Sequence, residues 1–265
     1  MATAVVTVAS GGLPVIDVTA TFPKLGMPVT EAIAIGAKKY GIPVTKVAAG
    51  GVPVTFVVSD LVPAGGGAAL STLNSADKSA NLTLSNGNMT ATATSGSNAG
   101  VRSTTGKTSG KLYVEFYTGA TWSSSGGNAG FGIMSAAPAL NNFGAGNATG
   151  GCLTLAYGGG NIYFNGGGVG GGIGVFGPNQ QFGVAVDLGA SKLWFRSGAV
   201  TGWTGNGANA DPATGVSGIN IAAVFPGSPA FVAVSFDGSG SIVTINTGAT
   251  AFTNGGPPSG FSAWG

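Results

Sequence analysis

Glycine recurs so densely in this chain that a long helix has nowhere to form: 51 of its 265 residues are glycine, and beyond residue 70 glycine or a β-branched residue interrupts every amphipathic candidate. Each interior glycine costs a helix roughly 1 kcal/mol relative to alanine, and β-branched side chains lose rotamer freedom against the preceding turn. What survives between the interruptions has strand length. The runs "KLYVEFY" (111–117), "QFGVAVDL" (181–188), "SKLWFR" (191–196), "AFVAVSF" (230–236) and "GSIVTIN" (240–246) are aromatic and β-branched, and Gly, Asn and Ser bound them. In the first, Leu112, Val114 and Phe116 share one face and Lys111, Tyr113, Glu115 and Tyr117 the other. That alternation predicts an antiparallel strand with one buried and one solvated face. The region is expected to be all-β, an antiparallel sandwich or barrel.

A different texture precedes it. Gly-x-Pro-Val occurs four times, as "GLPV" (12–15), "GMPV" (26–29), "GIPV" (41–44) and "GVPV" (51–54), spacing Pro14, Pro28, Pro43 and Pro53 by 14, 15 and 10 residues. The spacing is too irregular for a self-stacking solenoid, and each unit is too short to hold a core. Proline brings no N–H to a ladder and is tolerated at a strand's first position, so each motif reads as a turn feeding a short extended segment. Proline there blocks self-pairing on one side and leaves a strand donor for an ordered surface. The Gly/Ala-rich "VPAGGGAALS" (62–71) marks a joint. The expected division is an extended β-rich attachment arm (1–61, with Pro14, Pro28, Pro43 and Pro53 as attachment points), a linker (62–74) and a sandwich (75–265).

Composition removes most catalytic chemistry. With no histidine, every Ser-His or Cys-His nucleophile and the usual zinc sites are excluded, and Cys152, the lone cysteine, allows neither an internal disulfide nor a four-thiolate zinc site. Ten Lys and Arg against eight Asp and Glu, with no basic run, provide no footprint for a nucleic-acid backbone. The opening "MATAVVTVASGG" lacks a signal peptide's basic start and unbroken apolar core, and no stretch reaches the length of a membrane helix, so the expectation is a soluble protein made in a cytoplasm without membrane insertion.

From "LTLSNGNMTATATSGSNAGVRSTTGKTSGKLYVEF" through "NAGFGIM" and "FGPNQQFGVAVDLGASKLWFRSG" to "AFTNGGPPSGFSAWG", residues 75–265 resemble a SPRY domain of the concanavalin-like sandwich class, in the form found in bacteriophage proteins. "GKLYVEF" is similar to that family's Gly-Lys-aromatic-Tyr-x-Glu strand, and "GVAVDLGASKLWFRSG" to its Gly-Val-x-x-Asp-Leu hairpin. The resemblance implies a bent two-sheet sandwich that binds partners through loops, without catalysis, cofactor or metal. The Gly-x-Pro-Val segments resemble N-terminal segments of phage virion proteins. Together they imply a head decoration or fibre-type virion protein, assembled in the bacterial host cytoplasm and joined through its arm to capsid or tail proteins. A homo-oligomer is expected, a trimer first; the alternative is a tail-associated adhesin recognising host surface glycans.

Several local features compete for a functional role. "FNGGGVGGGIGVFG" (164–177) contains Gly-x-Gly-x-x-Gly spacings, but no strand-to-helix context or Lys-Ser/Thr follows, so it reads as a flexible loop or turn. Hydrolysis by paired carboxylates would draw on Glu115, Asp187, Asp211 and Asp237, which read as strand or turn residues. Calcium lacks its Asp-x-Asp-x-Asp loop. Trp122 and Trp203 lie among turn residues, where a ring either stacks on a sugar or protein ligand or folds back to cap the sandwich. Trp194 and Trp264 read as packing residues, and Arg102, Lys107 and Lys111 as a loose cluster on a solvated edge.

Overall fold

The computed structural model describes residues 70–96, 99–123, 129–140, 150–155, 160–174, 177–198 and 202–265, together with four short strands nearer the N-terminus. It divides into two compact units, Met1–Ala68 and Ala69–Gly265.

In the first unit β1 (Thr3–Ala4) pairs antiparallel with β2 (Ala20–Thr21), and β3 (Val47–Ala49) with β4 (Val52–Val54). In the second pair Ala49 lies opposite Val52. Pro53 stands opposite Ala48 in the middle of β4 rather than at its first position. The fourth motif therefore pairs with its own neighbour on one side, and its proline departs from the expectation only in standing at the second position of the strand. Both strands of such a ribbon are edges, where a missing N–H is tolerated on the outer side. Pro14, Pro28 and Pro43 lie outside the described residues.

The second unit is an all-β sandwich. In chain order its strands are β5 (Leu73–Lys78), β6 (Leu82–Ser85), β7 (Thr90–Ala93), β8 (Ala99–Ser103), β9 (Lys111–Thr118), β10 (Gly130–Met134), β11 (Gly151–Leu155), β12 (Asn161–Phe164), β13 (Gly167–Gly172), β14 (Gln181–Asp187), β15 (Lys192–Ser197), β16 (Trp203–Gly205), β17 (Gly207–Ala210), β18 (Ile219–Asn220), β19 (Phe231–Phe236), β20 (Ile242–Asn246) and β21 (Ser262–Ala263). A seven-stranded sheet runs β13-β12-β11-β10-β19-β8-β5; a ten-stranded sheet runs β17-β16-β15-β14-β9-β20-β7-β6, with β18 beside β15 and β21 beside β9. Pairing is antiparallel except for β21 along β9. Leu73 is fully buried and Ser71 accepts a hydrogen bond from the Thr247 hydroxyl, so the sandwich begins inside the stretch read as linker.

Period-two alternation puts Leu112, Val114 and Phe116 of β9 on the inner face with Phe182, Val184 and Val186 of β14, against Phe131, Ile133, Val232 and Val234 of the smaller sheet. The Phe131 ring stacks on Phe116 at 4.7 Å and lies tilted against Phe182 at 4.8 Å, centroid to centroid. Burying each such ring contributes roughly 1.5–3 kcal/mol.

The glycine run at 164–177 is not simply a loop. Phe164 pairs with Gly167 across a two-residue turn, Asn165 (φ 50°) and Gly166 (φ 84°), the Asn-Gly chemistry of a tight hairpin. Residues 167–172 then continue as strand β13. A Cβ on Gly171 would lie 2.7 Å from the Gly205 carbonyl oxygen, so a glycine-rich strand lets β13 and β16 approach each other at the sandwich rim.

Candidate functional site

The outer face of the larger sheet is organised around β9. Register places Asn246 opposite Glu115, Glu115 opposite Gly183 and Gly183 opposite Arg196, so the carboxylate and the guanidinium share one row with a glycine between them. The next row aligns Tyr113, Ala185 and Trp194. Tyr113 leans over the vacancy left by Gly183: a Cβ there would fall 2.6 Å from its hydroxyl oxygen. From that position the hydroxyl donates to Glu115 Oε1 (2.9 Å) and accepts from Arg196 Nη2 (3.0 Å). Tyr113 thus bridges two opposite charges two strands apart.

A C-terminal strap covers this bridge. Thr253 N–H donates to Glu115 Oε2 (3.0 Å), Asn254 N–H donates to Oε1 (2.8 Å), and the Tyr117 hydroxyl donates to Oε2 (2.5 Å). Arg196 Nη2 also donates to the carbonyls of Asn254 and Gly256. The strap then returns to the sheet, where Trp264 N–H donates to the Tyr113 carbonyl (2.9 Å) and its ring enters the core. Phe252 packs edge-on against Tyr113 at 5.0 Å, and Phe261 against Trp194 at 6.3 Å. Glu115 is 0 % exposed. A buried carboxylate requires partners, and with four donors both acceptor sites of each oxygen are taken. Burial, reinforced by the Glu115 charge and partly offset by Arg196, raises the Tyr113 phenol well above its ordinary range. Tyr117 shifts upward through its own burial and its hydrogen bond to Glu115.

This arrangement corrects the expectation of a solvated second face on β9. Tyr113 and Glu115 are as buried as Val114, because chain more than 130 residues downstream folds over them. The candidate carboxylates do not assemble. Glu115 lies opposite Gly183, four residues from Asp187 along β14, which separates the two backbones by about 13 Å. Paired glycosidase carboxyls stand roughly 5–9.5 Å apart. Asp187 accepts from Ala190 N–H (2.9 Å) and stands 3.4 Å from Lys111 Nζ, while Asp211 holds its own turn through Ala213 N–H and the Thr214 hydroxyl. Asp237 is buried on the other sheet's strand end.

The two aromatic candidates separate. Trp122, 5 % exposed, folds into the core beside Phe236 at 6.2 Å, so it offers no ring to a ligand. Trp203 stays half-buried at the surface, with the Arg196 guanidinium 4.4 Å from its ring centre and Tyr113 edge-on at 6.2 Å. Trp194 and Trp264 are fully buried. The expected cluster of cations dissolves: Arg102, 6 % exposed, lies on β8 of the smaller sheet, paired with Asp77 through Nε (2.8 Å) and Nη2 (3.0 Å) and bonded to the carbonyls of Ser135 and Pro138, whereas Lys111 lies on the larger sheet. Lys107 bridges to Ala230. Sequence reasoning missed Arg196, Gly183 and Asn254. The outward phase of Arg196 in "SKLWFR" was visible, but its partners are set by a distant segment.

No family model and no curated protein matches the chain. Among solved structures it is similar to the SPRY domain of human HERC1, at 19 % identity over 68 % of this chain and 99 % of that one, with a TM-score of 0.49. It is also similar to the PSpry domain of TRIM65, at 12 % identity over 67 % and 90 %, with a TM-score of 0.44.

Proposed function

We propose that this chain is a non-enzymatic structural protein of a bacteriophage virion, a head decoration or fibre-type protein held to the particle by residues 1–61 and displaying the sandwich as a binding module. The observation that carries the binding reading is the saturation of Glu115 by four donors. A carboxylate so engaged has no free lone pair with which to take a proton, and its task is to anchor a strap. Trp203, braced by Arg196, is the sequence-selected aromatic that remains available to a ligand. The Gly-x-Pro-Val segments and the low charge of the whole chain suit permanent attachment, since few charges need desolvating. The partners are capsid or tail proteins through the arm, and copies of the chain itself, with a trimer first.

The test compares the full chain with a variant lacking residues 1–61 for co-sedimentation with particles devoid of the protein. Equal association of both forms refutes the attachment role of the arm. The alternative, a tail-associated adhesin for host surface glycans, is favoured by the uncharged hydroxyls of Thr90, Thr244 and Tyr117, which register aligns on the outer face of the larger sheet.

A further inference from the structure

The strap covers only part of the larger sheet's outer face. Beside it, strand register aligns another row: Ser85 opposite Thr90, Thr90 opposite Thr244, Thr244 opposite Tyr117 and Tyr117 opposite Gln181. With strands about 4.8 Å apart, the row extends about 19 Å across five strands. Thr83 and Thr92 form a second pair alongside. Thr83 and Ser85 are exposed and the others half-buried. None of these side chains carries a charge at neutral pH.

The hydroxyls are organised. Thr90 and Thr244 share a hydrogen bond of 2.9 Å; Tyr117, fixed by Glu115, lies 2.9 Å from the Thr253 hydroxyl, which donates to Gln181 Oε1 at 3.2 Å. That end is closed by Asn254, a residue 9 % exposed. Its Oδ1 lies 3.4 Å from where a Cβ on Gly198 would sit, a point that is also 3.7 Å from Gln181 Cβ.

We infer that this row binds a neutral oligosaccharide, an inference that rests on the reading of the sandwich as a binding module. A charged partner would meet hydroxyls and amides with no opposing charge. An added peptide strand needs an unpaired backbone edge, which in this row only β6, the last strand of the sheet, offers; β7, β20, β9 and β14 are each paired on both sides, so over four of the five strands this face presents side chains alone. A neutral polyol both donates and accepts, as Ser, Thr, Tyr and Gln do. The threonine methyls and the Tyr117 ring supply apolar contact for the faces of sugar rings.

The test is electrophoresis of the full chain through gels containing dextran, soluble starch or galactomannan, with polygalacturonate as the acidic counterpart. Retardation by at least one neutral polysaccharide and none by polygalacturonate is expected. In the double variant T90V/T244V, which keeps side-chain shape and strand preference, affinity falls roughly tenfold or more. S85K, at an exposed position that tolerates substitution, independently lowers binding by placing a long charged chain on the row. No retardation by any neutral polysaccharide, retardation by polygalacturonate alone, or unchanged binding in both variants overturns the inference. A protein ligand bound through Trp203 in the absence of any glycan signal would likewise sink it while leaving the binding-module reading intact.

Discussion

Replacing Glu115 with glutamine tests the strap directly, because it keeps the shape and removes one acceptor oxygen. Whichever oxygen becomes the amide nitrogen, it faces one tyrosine hydroxyl and one strap N–H: Tyr113 and Asn254 at Oε1, or Tyr117 and Thr253 at Oε2. The hydroxyl can rotate and accept, but the backbone N–H cannot. One buried N–H is therefore stranded, at about 2 kcal/mol, and the three remaining bonds lose their charge assistance at about 0.5 kcal/mol each, for a total of about 3–4 kcal/mol. For a unit of this size that lowers Tm by about 10 °C. Circular dichroism melts report the loss, and amide exchange localises it: protection of Thr253 and Asn254 should fall well before that of Val184 in the core. A variant within about 0.5 kcal/mol of the parent, with both strap amides still protected, would refute the assignment of Glu115 as the strap's anchor.

Gly183→Ala should destabilise by about 2 kcal/mol despite alanine's better strand entropy, since its Cβ would fall 2.6 Å from the Tyr113 hydroxyl and force the bridging ring aside; urea midpoints measure this. Trp122→Ala should cost about 3–5 kcal/mol in the same assay, as expected for emptying a core site, and leave ligand binding at Trp203 unchanged. Tyr113 and Tyr117 have folded pKa values raised above their unfolded ones, so the folded state holds its phenolic protons more tightly. That stability is fully present below about pH 10 and declines as pH rises through the folded values; urea midpoints taken upward from pH 8 should drop above about pH 10, and less steeply in Tyr113→Phe.

Local chemistry alone settled the class of this fold. Glycine and β-branched residues deny length to any helix, and alternation in "KLYVEFY" and "QFGVAVDL" separates inward Phe116 and Phe182 from outward Tyr113 and Ala185, as the two sheets require. Asn165-Gly166 even carried its hairpin in two letters, masked by the glycines that follow. Which outward residues meet water was a different question. Glu115 and Tyr113 look solvated on their own strand, and they are buried because residues 252–264 cross above them, a contact between segments that neither segment's periodicity encodes. Trp122 and Trp203 sit in similar turn-rich sequence, yet one fills the core and the other stacks on Arg196, because a ring's destination depends on which cavity the assembled sheets leave near it. The hydroxyl row is likewise a product of register. Ser85, Thr90, Thr244, Tyr117 and Gln181 become neighbours only when five strands pair, and a period-two pattern fixes which face a side chain occupies but not who stands beside it.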